Sequence, residues 1–204
     1  MSTTIIKPTN FVVIFILCVV PVLLLNLAPA SYDGAVALIA LTVLYLGQVY
    51  LLLHPLSGSR RCSVHPGFAL LLGVLLLATS LAGTWLVRGV LTTTADPAVL
   101  TPAENLVSLV YLPVIVLSAI REELVYRVWM YEAISPHLGE ISTVVLQGLV
   151  FSLMHGGSGP VGMIVALMAG LILGLAYMKR HSASEIVIAH VLYNIVVYYG
   201  VGRI

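Results

Sequence analysis

The stretch Ser118-Ala-Ile-Arg-Glu-Glu-Leu-Val-Tyr-Arg127 places two glutamates and two arginines within ten residues, and apolar segments flank it on both sides. The chain of 204 residues is 60% hydrophobic and only 8% charged, whereas soluble domains are about a quarter charged. A chain with so little polar surface cannot coat a soluble globule. The composition therefore predicts an integral membrane protein that holds this charged stretch within or beside the lipid.

The remaining charges indicate which partners to expect. The net charge is +1 and no run of Lys and Arg is longer than two residues, which excludes a nucleic-acid-binding surface. Lipid and membrane-anchored peptides or proteins are the expected partners. The two cysteines, Cys18 and Cys62, lack the spacing of metal ligands and are interpreted as free thiols.

About seven apolar segments approach the roughly 20 residues that a membrane-spanning helix requires. The short polar loops between them leave no room for a soluble domain. The pattern predicts an all-α polytopic bundle that forms one membrane domain over residues 1–204, with a Ser135-Pro136 pair ending the fourth segment. The predicted segments run from Phe11 to Ala28, Ala35 to Leu53, Gly67 to Val87, Leu106 to Ile134, Ile141 to His155, Val161 to Met178 and Glu185 to Val201.

The distribution of basic residues between the loops predicts the orientation in the membrane, because Lys and Arg accumulate in cytoplasmic loops. The N-terminus is therefore predicted to be cytoplasmic. One set of alternate loops contains Lys7, Arg60, Arg61, Lys179 and Arg180, and the opposite set contains Arg88 and Arg203.

The fourth segment carries the charged stretch about two-thirds of the way along its length. At a rise of 1.5 Å per residue, Glu122 lies roughly 18 Å from Ile134 at the predicted cytoplasmic end. The fifth segment begins near Ile141 on the same side and reaches His155 after roughly 21 Å. Glu122 and His155 are therefore predicted to lie at the same depth.

Helical geometry separates the two glutamates. Glu123 precedes Arg127 by four residues, the favoured arrangement for an ion pair within one helix. Glu122 lies about 100° further round the helix and has no arginine at that spacing, so it is the carboxylate predicted to do chemistry. An alternative is that these residues and Arg121 only neutralise one another and lock the packing of the helices.

Three further polar residues are predicted to lie at the level of Glu122. His190 and Asn194 lie four residues apart on one face of the last segment, roughly 8 to 15 Å from its cytoplasmic end. Taken alone, His155 could be an interfacial residue, and His190 and Asn194 could form hydrogen bonds between helices. A carboxylate, two histidines and an amide from three helices at one depth together predict a hydrolytic site.

The motifs Glu122-Glu123-x-x-x-Arg127, Phe151-x-x-x-His155 and His190-x-x-x-Asn194 follow one another in the sequence, on the fourth, fifth and seventh segments. In order and separation they resemble the three motifs of the CAAX protease and bacteriocin-processing family, also called the Abi family. The resemblance covers residues 106–201, which are predicted to form a catalytic core of four helices, and leaves residues 1–105 without an assigned role.

The resemblance implies a glutamate-dependent intramembrane endopeptidase that needs neither a metal nor a cofactor. The residues matching Glu122 and His155 would activate water, and those matching His190 and Asn194 would hold the oxyanion. Glu123 and Arg127 would then have structural or substrate-positioning roles.

Two other functions remain open at this point. In a zinc protease, Glu122, His155 and His190 would be three ligands with water in the fourth position, although the sequence contains no H-E-x-x-H motif. A non-catalytic membrane protein, such as an immunity factor or a partner-binding subunit, could use the same polar cluster for binding. The compact chain without long loops is typical of prokaryotic members, so a prokaryotic cytoplasmic membrane is the expected location.

Overall fold

The structure, a computed structural model, is helical throughout nearly all the residues that it describes, which are 12–13, 16–18, 20, 34–53, 64–91 and 109–199. The all-α prediction is confirmed. Seven α-helices are present in these ranges: α1 Gly34–Leu53, α2 Pro66–Leu91, α3 Leu112–Glu122, α4 Met130–Leu138, α5 Glu140–Met154, α6 Gly159–Arg180 and α7 Ala183–Tyr199. The predicted first segment, residues 11–28, lies mostly outside the described residues.

The predicted fourth segment is not one continuous α-helix. A short 3-10 turn at Leu109–Tyr111 leads into α3, and a seven-residue π-helix, Glu123–Trp129, separates α3 from α4. The prediction that Ser135-Pro136 ends this segment is wrong, because α4 continues to Leu138. Gly139, with a φ of 78°, ends the helix, since a glycine adopts a positive φ without steric cost.

Small residues bring α5 and α6 close together. A Cβ atom on Gly170 would lie 2.9 Å from the Cα atom of Gly148, and a Cβ atom on Gly174 would lie 3.0 Å from a Val144 methyl group. Gly170 and Gly174 form the GxxxG spacing that lets two membrane helices approach each other closely. The pair α5 and α6 is thus a tightly packed support for the residues at the end of α5.

An ion pair joins the ends of three helices. Glu185, at the start of α7, is fully buried and accepts hydrogen bonds from Arg180 at the end of α6 and from the His65 amide just before α2. The Arg180 guanidinium also lies over the Phe68 ring, 4.4 Å from its centre. These contacts hold α7 against α2 and α6 at that end of the bundle.

Two helices are long and apolar enough to cross a membrane by length and composition, Pro66–Trp85 and Gly156–Arg180. Large apolar side chains such as Leu71, Val74 and Leu153 are exposed on the outside of the bundle, as expected for surfaces that face lipid. Together with the composition, these features fit an integral membrane protein. The orientation stays a prediction, because Lys7, Arg60, Arg61 and Arg203 lie outside the described residues, as does Cys62.

Candidate active site

The four charges of the opening stretch form two separate groups rather than one neutralised cluster. In the first group, Glu122 Oε1 accepts hydrogen bonds from Ser118 Oγ at 2.7 Å and from Arg121 Nη2 at 3.0 Å. Glu122 has no arginine at the four-residue spacing, but the long side chain of the adjacent Arg121 reaches its carboxylate. Glu122 Oε2 makes no hydrogen bond to any residue in the described part of the chain.

The second group contains Glu123 and Arg127, which are fully buried, and His190, which is buried. Arg127 Nη1 lies 3.2 Å from Glu123 Oε1, as an ion pair whose angle does not meet hydrogen-bond geometry. His190 Nδ1 lies 2.7 Å from the same oxygen. Glu123 therefore does more than balance Arg127, because it also fixes one nitrogen of a histidine on α7.

The Phe151 ring lies at the centre of the motif residues. The Arg127 guanidinium carbon is 4.3 Å from the centre of this ring, a distance typical of a cation–π contact. The imidazoles of His155 and His190 have centres 4.4 Å and 6.2 Å from that of Phe151. The phenylalanine of the second motif thus packs against charged or polar residues of all three motifs.

His155 caps the C-terminal end of α5, where the chain turns into the 3-10 helix Gly156–Ser158. Its Nδ1 lies 2.8 Å from the Phe151 carbonyl oxygen, so Nδ1 donates to that oxygen and Nε2 is left for other partners. No direct hydrogen bond joins His155 to Glu122 in the described residues. His155 and His190 nevertheless both lie near the Glu122 carboxylate.

Asn194 lies one turn after His190 on α7 and is half-buried. Its side chain makes no hydrogen bond to another residue that the structure describes. The amide is therefore still able to donate to a ligand, as the predicted oxyanion role requires.

Arg121 connects this site to the N-terminal part of the chain. Its guanidinium carbon lies 4.7 Å from the centre of the Tyr45 ring on α1, and Nη1 lies 3.4 Å from the Cys18 carbonyl oxygen. Cys18 is a buried free thiol. From the sequence, Arg121 has a role only in the alternative of a neutralised cluster, and Ser118 has no predicted role, although both belong to the charged stretch.

The part of the chain that contains these residues matches a known protein family. A family model described as Type II CAAX prenyl endopeptidase Rce1-like matches residues 104–196. Residues 104–196, a little under half of the chain, are therefore similar to the Rce1-like family. No curated protein and no solved structure matches the chain.

This similarity supports, in general terms, a hydrolase of the membrane and a protease of the CAAX type. The matched range includes all three motifs and excludes α1 and α2. The family suspected from the motifs is therefore the family found.

The two carboxylates of the Rce1-like region lie in different surroundings. Glu123 is fully buried, and its Oε2 has no hydrogen-bond partner among the described residues. The Glu122 side chain is 14% exposed, and its Oε2 makes no hydrogen bond to these residues either. The two carboxylates therefore differ in their exposure and in the partners of Oε1. No group of three His, Cys, Asp or Glu residues suited to a metal ion occurs in the described ranges.

Proposed function

We propose that this Rce1-like chain is a glutamate-dependent intramembrane endopeptidase in which Glu122 is the general base. One observation carries the assignment: Ser118 and Arg121 hold Oε1 of Glu122, while Oε2 is left for a water molecule. A base of this kind has to be oriented by its neighbours and still present a free lone pair to its substrate. Glu123 also has an oxygen without a hydrogen bond to the described residues, but its side chain is fully buried, whereas that of Glu122 is 14% exposed and thus more accessible to water.

The proposed reaction is the hydrolysis of one peptide bond. Glu122 takes a proton from water that His155 helps to orient, and the water oxygen bonds to the carbonyl carbon. The carbon–nitrogen bond then breaks, and the proton held by Glu122 passes to the departing amine. The products are a new carboxyl terminus and a new amino terminus, and the enzyme returns to its starting state.

His190 and Asn194 are the proposed donors to the negative oxygen of the tetrahedral intermediate. Because His190 Nδ1 donates to the Glu123 carboxylate, Nε2 carries a proton only when the ring is cationic. In that state the buried group of Glu123, Arg127 and His190 has a net charge of +1. A positive charge at this place favours an anionic intermediate in a site of low dielectric constant.

The proposed substrate is a peptide next to a membrane anchor. An extended peptide cannot leave its backbone groups without partners in lipid, so a polar site within an apolar bundle gives it a place to be held and cut. The family description names prenyl endopeptidases that act on CAAX sequences. A farnesylated peptide with a C-terminal CAAX sequence is therefore the first probe, and the same peptide without the lipid is its matched control.

The experiment follows purified protein and this probe by mass spectrometry in water enriched in ¹⁸O. Hydrolysis predicts that one ¹⁸O atom enters the new carboxyl terminus of the fragment that carries the lipid. A binding or immunity protein predicts no fragment. If the lipidated probe is not cleaved, mass spectrometry of peptides released from native membranes with and without the protein can identify another substrate.

A metal-dependent reaction makes a different prediction for the same assay. If zinc bound by Glu122, His155 and His190 activated the water, exhaustive chelation would abolish cleavage and added zinc would restore it. The proposal predicts that cleavage survives chelation and that purified active protein contains far less than one metal ion per chain. Activity that depends on added zinc would show that these residues are ligands.

A further inference from the structure

The π-helix Glu123–Trp129 lies within the first motif. At its end the amide of Met130 donates to the carbonyl oxygen of Val125, five residues earlier. In an α-helix the same amide would donate to the carbonyl oxygen of Tyr126, four residues earlier. In the π-helix, the Met130 amide therefore does not donate to the Tyr126 carbonyl oxygen. Short π-helical segments of this kind occur frequently at functional sites.

Gln147 of α5 supplies a donor to that carbonyl oxygen. Its side chain is fully buried, and Nε2 forms a short hydrogen bond with the Tyr126 oxygen. Because a carbonyl oxygen only accepts, this contact settles which end of the amide faces the π-helix. The other end, Oε1, is buried without a hydrogen-bond partner among the described residues.

The position of Gln147 on α5 relates it to the second motif. Gln147, Phe151 and His155 follow one another at intervals of four residues, so that they share one face of the helix. On this face, Gln147 donates to the π-helix and Phe151 contacts the Arg127 guanidinium. His155 lies at the end of the same face, where α5 ends.

We infer that Gln147 is a positioning residue, which holds the π-helical register that aligns Glu122 and Glu123 with Arg127 and His190. This inference rests on the proposed function of the same site. Gln147 does not touch the reacting atoms and acts through the backbone of Tyr126. Without its amide, the Met130 amide is expected to return to the Tyr126 oxygen and the π-helix to become α-helical.

Such a change of register alters the relation between the two sides of the π-helix. A shift by one residue rotates the residues before it relative to those after it by about 100°. Glu122 and Glu123 lie on one side of Val125, and Arg127 lies on the other. Glu123 and Arg127 could still pair in an α-helix, because they are four residues apart. The direction of Glu122 and Glu123 relative to the residues after the π-helix would change.

The test replaces Gln147 by an apolar side chain of similar size and measures cleavage of the farnesylated CAAX peptide. We expect Gln147→Met to lower kcat by about 10- to 100-fold, as a small misplacement of reacting groups does, with little change in KM. Ser152→Ala is the matched control, because Ser152 is also on α5 and donates a buried hydrogen bond to a backbone carbonyl, that of Met163 on α6. It should keep kcat within about twofold of the wild type, since it leaves the π-helix alone.

A second variant tests whether the donor itself matters. In Gln147→Glu, a protonated carboxyl group still donates to the Tyr126 oxygen, whereas the carboxylate does not. At the acidic end of the activity range, this variant should therefore be more active than Gln147→Met and close to the wild type. If Gln147→Met does not fold, Gln147→Glu under acidic conditions decides, because a severe loss of kcat there contradicts the inference.

The outcomes also separate this inference from the proposed function. Wild-type protein that cleaves no peptide would count against the proposed function alone, and the structure of Gln147→Met would then test the inference directly through the partner of the Met130 amide. A Met130 amide that still donates to Val125 in that variant would overturn the inference. So would a wild-type kcat in Gln147→Met, or an equal loss in Ser152→Ala.

Discussion

At the scale of single residues, the two adjacent glutamates differ in their partners. Glu122 interacts with Ser118 and Arg121 on its own helix, and Glu123 interacts with Arg127 and with His190 on another helix. A loss at position 122 should therefore affect the reaction, whereas a loss in the second group should affect the folded state as well.

Arg127 provides the first prediction at this scale. Both partners of the ion pair with Glu123 are fully buried, and removal of one buried partner typically costs about 3 to 5 kcal/mol because the other charge stays behind. We expect Arg127→Met to lower the free energy of unfolding by about this amount, measured by thermal unfolding in detergent. The double variant Glu123→Gln/Arg127→Met should be more stable than Arg127→Met. Equal stability of the two variants would show that the charges are not coupled.

Asn194 provides a prediction about the reaction. As an oxyanion donor it acts only when charge develops on the carbonyl oxygen, so its loss should lower kcat and leave KM nearly unchanged. We expect Asn194→Ala to reduce kcat by about 10²- to 10³-fold, the usual effect of losing one such donor. A raised KM with an unchanged kcat would instead indicate a role in binding the substrate.

At the scale of helices, α1 reaches the active site through Arg121. The Tyr45 ring of α1 lies against the guanidinium that holds Glu122. We expect Tyr45→Leu to lower kcat by about two- to thirtyfold, which corresponds to a cation–π contact of about 0.5 to 2 kcal/mol. Tyr50→Leu, on the same helix but with an exposed ring, is the control and should retain activity. Equal effects of the two variants would mean that α1 supports the bundle without orienting Arg121.

The helices also show how far sequence reasoning extends. Apolar runs located α1, α2, α5, α6 and α7 to within a few residues, because length and hydropathy limit a helix that crosses a membrane. The π-helix was missed because it is made of the same residue types as an α-helix and differs only in hydrogen-bond register. Its one sequence signal is Gln147, a polar residue in an apolar segment, which identifies a buried partner only once the facing helix is known.

Some contacts of the site could be predicted from the sequence. The pairing of Glu123 with Arg127 followed from their spacing, because partners on one helix are fixed by its geometry. The contact between Glu123 and His190 joins residues 67 positions apart, and such a contact depends on how two helices rotate against each other. The Arg121 contact with Glu122 was missed because adjacent residues point in different directions, although a long side chain can fold back.

At the scale of the whole molecule, the orientation in the membrane stays a prediction from loop charges. Cys62 follows Arg60 and Arg61 in the sequence and is therefore expected on the cytoplasmic side with the N-terminus. In intact bacterial cells, a membrane-impermeant maleimide should label Cys62 only after the membrane is permeabilised. Cys62→Ser measures the background from Cys18, which is buried. Labelling of Cys62 in intact cells would reverse the orientation.

Glu122→Gln tests whether Glu122 is the base of a peptide-bond hydrolysis. This substitution keeps the shape of the side chain and removes its basicity, whereas Glu132→Gln makes the same change outside the site and keeps an oxygen that can accept from Tyr177. The measurement is the kcat for cleavage of the farnesylated CAAX peptide by wild type and both variants, each shown to be folded by thermal unfolding. We expect no detectable cleavage by folded Glu122→Gln and wild-type cleavage by Glu132→Gln. Wild-type cleavage by Glu122→Gln would contradict it.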